Sequence, residues 1–300
     1  MLNLKKLFAT TLLISLILPA TAFAAQETKP TDIYCKTTVY HAEQLKDSAV
    51  FNNEPLLQNI EYVKNSTDEL NLVKTVQKEY YVSETYSLDG KVLDSHLMTN
   101  EEVANLDNEI QPCTVLGDEE QTKGKLTFTA SLYDDDSNNY YIYATADWEN
   151  GSWVITDGEE FPAAGKDYIG ISWGGGDFFK KTDSNFSGTY QVDGSSISYL
   201  TPVNNSYQGI CWSFNERKDA GNYRYFADIV YTRAKISPVP VNIGDQSGTA
   251  TALVKYIHTY DDNNVNITFA PSSNGSTVGI DYSGTTNAWA IETDFRELQY

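Results

Sequence analysis

The chain has 300 residues, with Asp+Glu 41 against Lys+Arg 21 and a formal net charge of -20. That balance excludes nucleic acid and anionic membrane surfaces as partners, because both must be met by Lys and Arg, and the chain has no basic cluster beyond pairs such as Lys180-Lys181. Aromatic residues at 13%, Tyr 21 prominent among them, exclude a disordered chain and suit strands with one half-exposed face.

Residues 1–24 carry Lys5 and Lys6, then an apolar run from Leu7 to Leu18, then Ala22-Phe23-Ala24, the three regions of a secretory signal peptide. The apolar run is shorter than the roughly 18 residues that span a bilayer, and no second stretch of that kind follows. A secreted, extracellular protein without a stable membrane span is expected. Cys 3 is an odd number for such a protein. The expected disulfide joins Cys35 to Cys113 and leaves Cys211, amid Ile210 and Trp212, as a buried free thiol. The sequence does not separate the three possible pairings.

Residues 25–117 read as a small α+β unit. A short helix is expected over 41–51, and the S-x-x-E capping box at Ser66 precedes a segment that suits a helix or a strand. Two strands over 80–88 and 91–98 flank Asp89-Gly90, a hairpin signal. Thr99 with Glu102 caps a predicted helix through Asn108. The polar, glycine-bounded stretch 118–124 reads as a linker.

From 125 to 300 short strands recur between turn signals, the pattern of an antiparallel β-sandwich or a barrel-like fold. In 140–148, Tyr141, Tyr143, Thr145 and Asp147 alternate with Ile142, Ala144, Ala146 and Trp148. Asn150-Gly151 then sets a tight turn that would bring Trp148 and Trp153 together across a ladder. The period-two pattern places Trp148 inward and Tyr143 outward.

Five aromatic residues, Trp148, Trp153, Trp173, Tyr141 and Tyr143, are the candidate ligand-binding set, as a stacking platform for sugar rings or a protein patch; the competing role for each tryptophan is core. Gly170-Ile171-Ser172-Trp173-Gly174 fits the nucleophile elbow G-x-S-x-G, but Gly174-Gly175-Gly176 costs about 1 kcal/mol per residue in a helix, so the helix behind the elbow is not encoded. Asp157, Glu159 and Glu160 offer an acid pair for glycoside hydrolysis. Asp134 and Asp136 begin a calcium-loop pattern that lacks its glycine and its closing glutamate, so calcium is an incomplete match and no other cofactor is expected. His41, His96 and His258 stand at no metal-ligand spacing, which argues against zinc.

These features lead to a secreted, noncatalytic binding protein for an extracellular glycan or protein. The alternatives are an antibacterial or pore-forming effector, motivated by the polar alternation of 249–282, and a hydrolase using Ser172 or an acid pair.

Overall fold

The computed structural model describes residues 32–41, 70–87, 92–106, 115–116, 119–148, 165–175, 178–190, 195–197, 200–220, 223–239, 248–260, 265–271, 275, 277–285 and 287–300. The predicted signal peptide, the 41–51 helix beyond His41, the Ser66 box, both Asx-Gly turns, Trp153 and the Asp157–Glu160 acids lie outside these residues.

In chain order the elements are β1 (Lys36–His41), β2 (Asn71–Ser87), β3 (Val92–Leu97), α1 (Asn100–Leu106), β4 (Val115–Leu116), β5 (Glu119–Asp134), β6 (Tyr140–Trp148), β7 (Lys166–Trp173) and β8 (Phe179–Tyr190). There follow β9 (Ser196–Ile197), β10 (Asn204–Asn205), β11 (Gly209–Asn215), β12 (Arg217–Ala220) and β13 (Tyr223–Pro238). The last four are β14 (Thr249–Thr259), β15 (Asn266–Pro271), β16 (Val278–Ser283) and β17 (Ala288–Gln299). The fold is mainly β, and the pairings between these strands are antiparallel.

Strand β6 shows why these residues form sheets. Ile142, Ala144, Ala146 and Trp148 are buried, while Tyr143, Thr145 and Asp147 between them are partly exposed, the alternation a pleated strand imposes. Helix α1 begins as its sequence predicts: the Thr99 N–H donates to Glu102 Oε2 at 2.7 Å, and the Glu102 N–H returns to Thr99 Oγ1 at 3.3 Å.

A ten-stranded sheet runs β1-β2-β5-β6-β13-β8-β9, with β3 on β2, β4 on β5 and β12 on β13. A five-stranded sheet runs β10-β11-β7-β14-β17, and β15 pairs with β16 as a ribbon. One cluster of buried side chains draws on both larger sheets, among them Val82, Phe128, Ile142 and Trp148 from the first and Ile169, Trp173, Tyr256 and Phe295 from the second. The opposite face of the five-stranded sheet is covered by the ribbon, through Tyr168, Cys211, Ile257, Ile267 and Ile280.

Two expectations are corrected here. The stretch 118–124 is not a linker: β5 runs from Glu119 and pairs with β2 from Asn71↔Asp134 to Ser87↔Glu119. Backbone pairing does not require apolar side chains, so a polar stretch that reads as a loop can still be ladder. The residues before it therefore share a sheet with those after it, and Ile33–Tyr300 cluster as one unit. The second correction is the disulfide. Cys35 is an exposed free thiol beside Thr37 Oγ1 at 3.4 Å, and its expected partner Cys113 lies outside the described residues. Cys211 is free and buried, and burial pushes its thiol pKa up.

Candidate functional site

The elbow motif is packing. Gly170 faces the ribbon, where an added Cβ would come within 3.2 Å of both the Cys211 side chain and Ile280 Cδ1. Ser172 is fully buried and donates its hydroxyl to the Val278 carbonyl at 2.7 Å, tying β7 to β16. Register places Ser172 opposite Leu253 and Trp173 opposite Ala252, so Ser172 and His258 lie on opposite faces of the five-stranded sheet. No Ser-His pair can form across that sheet. Ser172→Ala is expected to cost about 1 kcal/mol, the net value of one hydrogen bond, in a denaturant titration, and to leave ligand binding unchanged. A loss of binding without a loss of stability would restore a functional role for Ser172.

The aromatic set divides. Trp148 is 2% exposed and Trp173 fully buried, so neither presents a ring face to a ligand; both are core, which removes them from the expected stacking platform. Tyr143, half-buried, and Tyr141, only 5% exposed, lie on the outer face of the ten-stranded sheet, in a groove of about 460 Å³ that also includes Thr182, Asp183, Arg233 and Lys235. Register builds this groove. Tyr143 pairs with Arg233 and Tyr141 with Lys235 across β6 and β13, and Lys235 pairs with Asp183 across β13 and β8, so these side chains share a face. Lys235 Nζ stands 4.6 Å from the centre of the Tyr141 ring, a cation–π contact, and the Tyr143 ring packs edge-on against Tyr133 at 5.5 Å. Arg233 Nη2 donates to Asp183 Oδ2 at 2.5 Å, while Arg233 Nε is buried with no hydrogen-bond partner among the described residues.

Among the described residues, Asp134 and Asp136 belong to no group of acids, histidines or cysteines close enough to share a metal ion. The acid that organises their loop is Asp135, whose Oδ1 accepts from the Ser137 and Asn139 N–H groups at 2.9 and 3.0 Å and whose Oδ2 accepts from the Tyr141 hydroxyl at 3.2 Å. Asn138 closes the turn in the left-handed region at φ 59°. Although burial pushes the Asp135 pKa up, these hydrogen bonds leave it lowered.

A second constellation, in the interior, involves His258, which spacing along the chain made appear isolated. His258 is fully buried between the sheets. Its Nε2 lies 2.9 Å from Glu84 Oε1 of β2, and its Nδ1 lies 3.1 Å from Asp167 Oδ1 of β7 and 3.7 Å from Glu216 Oε1, in the one residue between β11 and β12. Asp167 is held further by the Tyr256 hydroxyl on Oδ2 and by the Thr259 N–H on Oδ1 at 3.2 Å. Burial pushes the Glu216 pKa well up, and the Asp167 and Glu84 carboxylates add to it against the opposing effect of His258. For His258 burial acts downward, but Asp167 and Glu216 outweigh it and raise its pKa well above the usual histidine value. Asp167, Glu216 and His258 form a group able to hold a metal ion. The missed signal is phase: Glu84, Asp167 and His258 each stand in step with the residues of their own strand that face the main core.

No family model matches this chain, and none of the curated proteins matches it in sequence. Among solved structures, the C-terminal domain of the AgI/II polypeptide BspA from Streptococcus agalactiae is similar over 75% of this chain and 91% of that chain, with 6% identity and a TM-score of 0.24. No helix among the described residues is long and apolar enough to cross a membrane.

Proposed function

We propose that the protein is an exported, noncatalytic binding protein, a β-sandwich whose ligand site is the outer groove containing Tyr141, Tyr143, Arg233 and Lys235. The observation that carries this reading is the juxtaposition of tyrosine rings and two cations in one open groove, on a chain that is otherwise strongly acidic. Its volume of about 460 Å³ lies within the usual range for small-molecule and sugar sites. The half-buried Tyr143 ring offers stacking surface to a sugar, and the Arg233 and Lys235 cations that line the groove offer charge-assisted donors. The ligand class that fits is an extracellular glycan bearing carboxylates.

The test is isothermal titration of the mature chain with uronate-containing and neutral oligosaccharides. Arg233→Ala is expected to weaken binding of the acidic sugar about 10- to 100-fold, the effect of losing a hydrogen bond to a charged group, and Tyr143→Ala by a smaller factor, with unchanged melting temperatures. Binding that survives both substitutions would move the ligand site elsewhere.

A further inference from the structure

The interior cluster has three carboxylates around one imidazole, all withdrawn from water. Glu84 Oε1 is an acceptor at 2.9 Å from His258 Nε2, so the proton on that side of the ring belongs to Nε2. In the neutral ring Nδ1 is then a bare lone pair, and it faces two further acceptors, Asp167 Oδ1 at 3.1 Å and Glu216 Oε1 at 3.7 Å. A proton placed on Nδ1 reaches Asp167. It leaves Glu216 unserved, because 3.7 Å is beyond a hydrogen bond. The Glu216 side chain is only 10% exposed and turns an oxygen into the cluster beside Asp167 and His258. A buried carboxylate beside two others is costly unless a cation offsets its charge.

We infer that Asp167, Glu216 and His258 Nδ1 ligate one divalent ion of the zinc type, which ties the five-stranded sheet to the crossing from β11 to β12. Zinc takes imidazole nitrogen and carboxylate oxygen at about 2.0–2.2 Å, which sets ligand atoms about 3.3–3.5 Å apart in a tetrahedron. The two separations from Nδ1 bracket that value, and the three ligand atoms all lie within 4.8 Å of one another. Glu84 on Nε2 then plays the part of the carboxylate that orients a metal-binding histidine, and the Tyr256 hydroxyl and Thr259 N–H do the same for Asp167. The Trp289 and Trp148 rings, centred 4.8 and 6.2 Å from the imidazole, give the site an apolar wall. Calcium is the poorer fit, since it asks for six to eight oxygens and no nitrogen.

The position gives the ion its role. Glu84 belongs to the ten-stranded sheet, Asp167 and His258 to the five-stranded one, and Glu216 sits where the chain passes from β11 in one sheet to β12 in the other. An ion here ties the five-stranded sheet to the crossing, and reaches the ten-stranded sheet through the His258 Nε2 to Glu84 contact, in a molecule whose described cysteines are free.

The full chain, stripped with EDTA and dialysed against Zn2+, is expected to retain about one zinc per chain by elemental analysis and to melt at a higher temperature than the stripped protein. Co2+ in place of zinc should give the visible absorption of a four-coordinate site. Glu216→Gln should abolish that spectrum and the zinc-dependent melting shift; Glu84→Gln, which touches no ligand atom, should weaken zinc roughly 10- to 100-fold. Absence of stoichiometric zinc from the wild-type chain, with melting temperatures indifferent to zinc, overturns the assignment and leaves Glu216 protonated instead. Should Glu216→Gln fail to fold, the Glu84→Gln titration decides: an affinity equal to wild type counts against the site.

Discussion

Trp148→Ala is expected to destabilise the protein by about 3–5 kcal/mol, the cost of deleting a large aromatic from a packed core and leaving a cavity. The ring is 2% exposed and belongs to the buried face of β6 with Ile142, Ala144 and Ala146. It stands edge-on to Trp289 and to His258, with centroids at 6.3 and 6.2 Å, so its loss also opens the wall of the interior cluster. Tyr143→Ala, five residues away on the opposite face, leaves that core untouched and should cost much less. Urea unfolding of the two variants measures the difference. Equal, small shifts would mean that the faces of β6 are misassigned, and would return Trp148 to the list of ligand-facing residues.

The same period-two pattern that separates Trp148 from Tyr143 was legible at three further places. Asp167 is in phase with Ile169, Ile171 and Trp173 on β7; His258 with Val254 and Tyr256 on β14; Glu84 with Tyr80 and Val82 on β2. A charged residue on a buried phase is a sign of a partnered interior group. What no local pattern contains is the pairing that joins them. Asp167 and His258 meet because β7 and β14 are neighbours in the register Tyr168↔Ile257, and Glu84 meets them only when the two sheets close on one another. Glu216 lies between two strands, outside any alternation, so nothing short of the fold announces it. The outer groove was half legible for the same reason. Tyr141 and Tyr143 stand out along β6, whereas Arg233 and Lys235 become their neighbours through cross-strand register.

Asp167→Ala is expected to be as damaging as the loss of Trp148, at about 3–5 kcal/mol, although it removes only a carboxylate. Its two oxygens accept from the Tyr256 hydroxyl, the Thr259 N–H and the His258 ring. Deleting them strands three donors in a place from which water is excluded, each carrying an unmet desolvation penalty of about 1–3 kcal/mol. Glu216→Gln makes the opposite comparison. Burial, Asp167 and Glu84 act against the charge of that carboxylate and His258 alone supports it, so neutralising it should leave the metal-free protein as stable as wild type or more so. Measuring both variants by urea unfolding in EDTA separates the two effects from any contribution of a bound ion. A cost below about 1 kcal/mol for Asp167→Ala would show that Tyr256, Thr259 and His258 find other acceptors when the sheets relax, and that the interior cluster is not what holds the sheets in register.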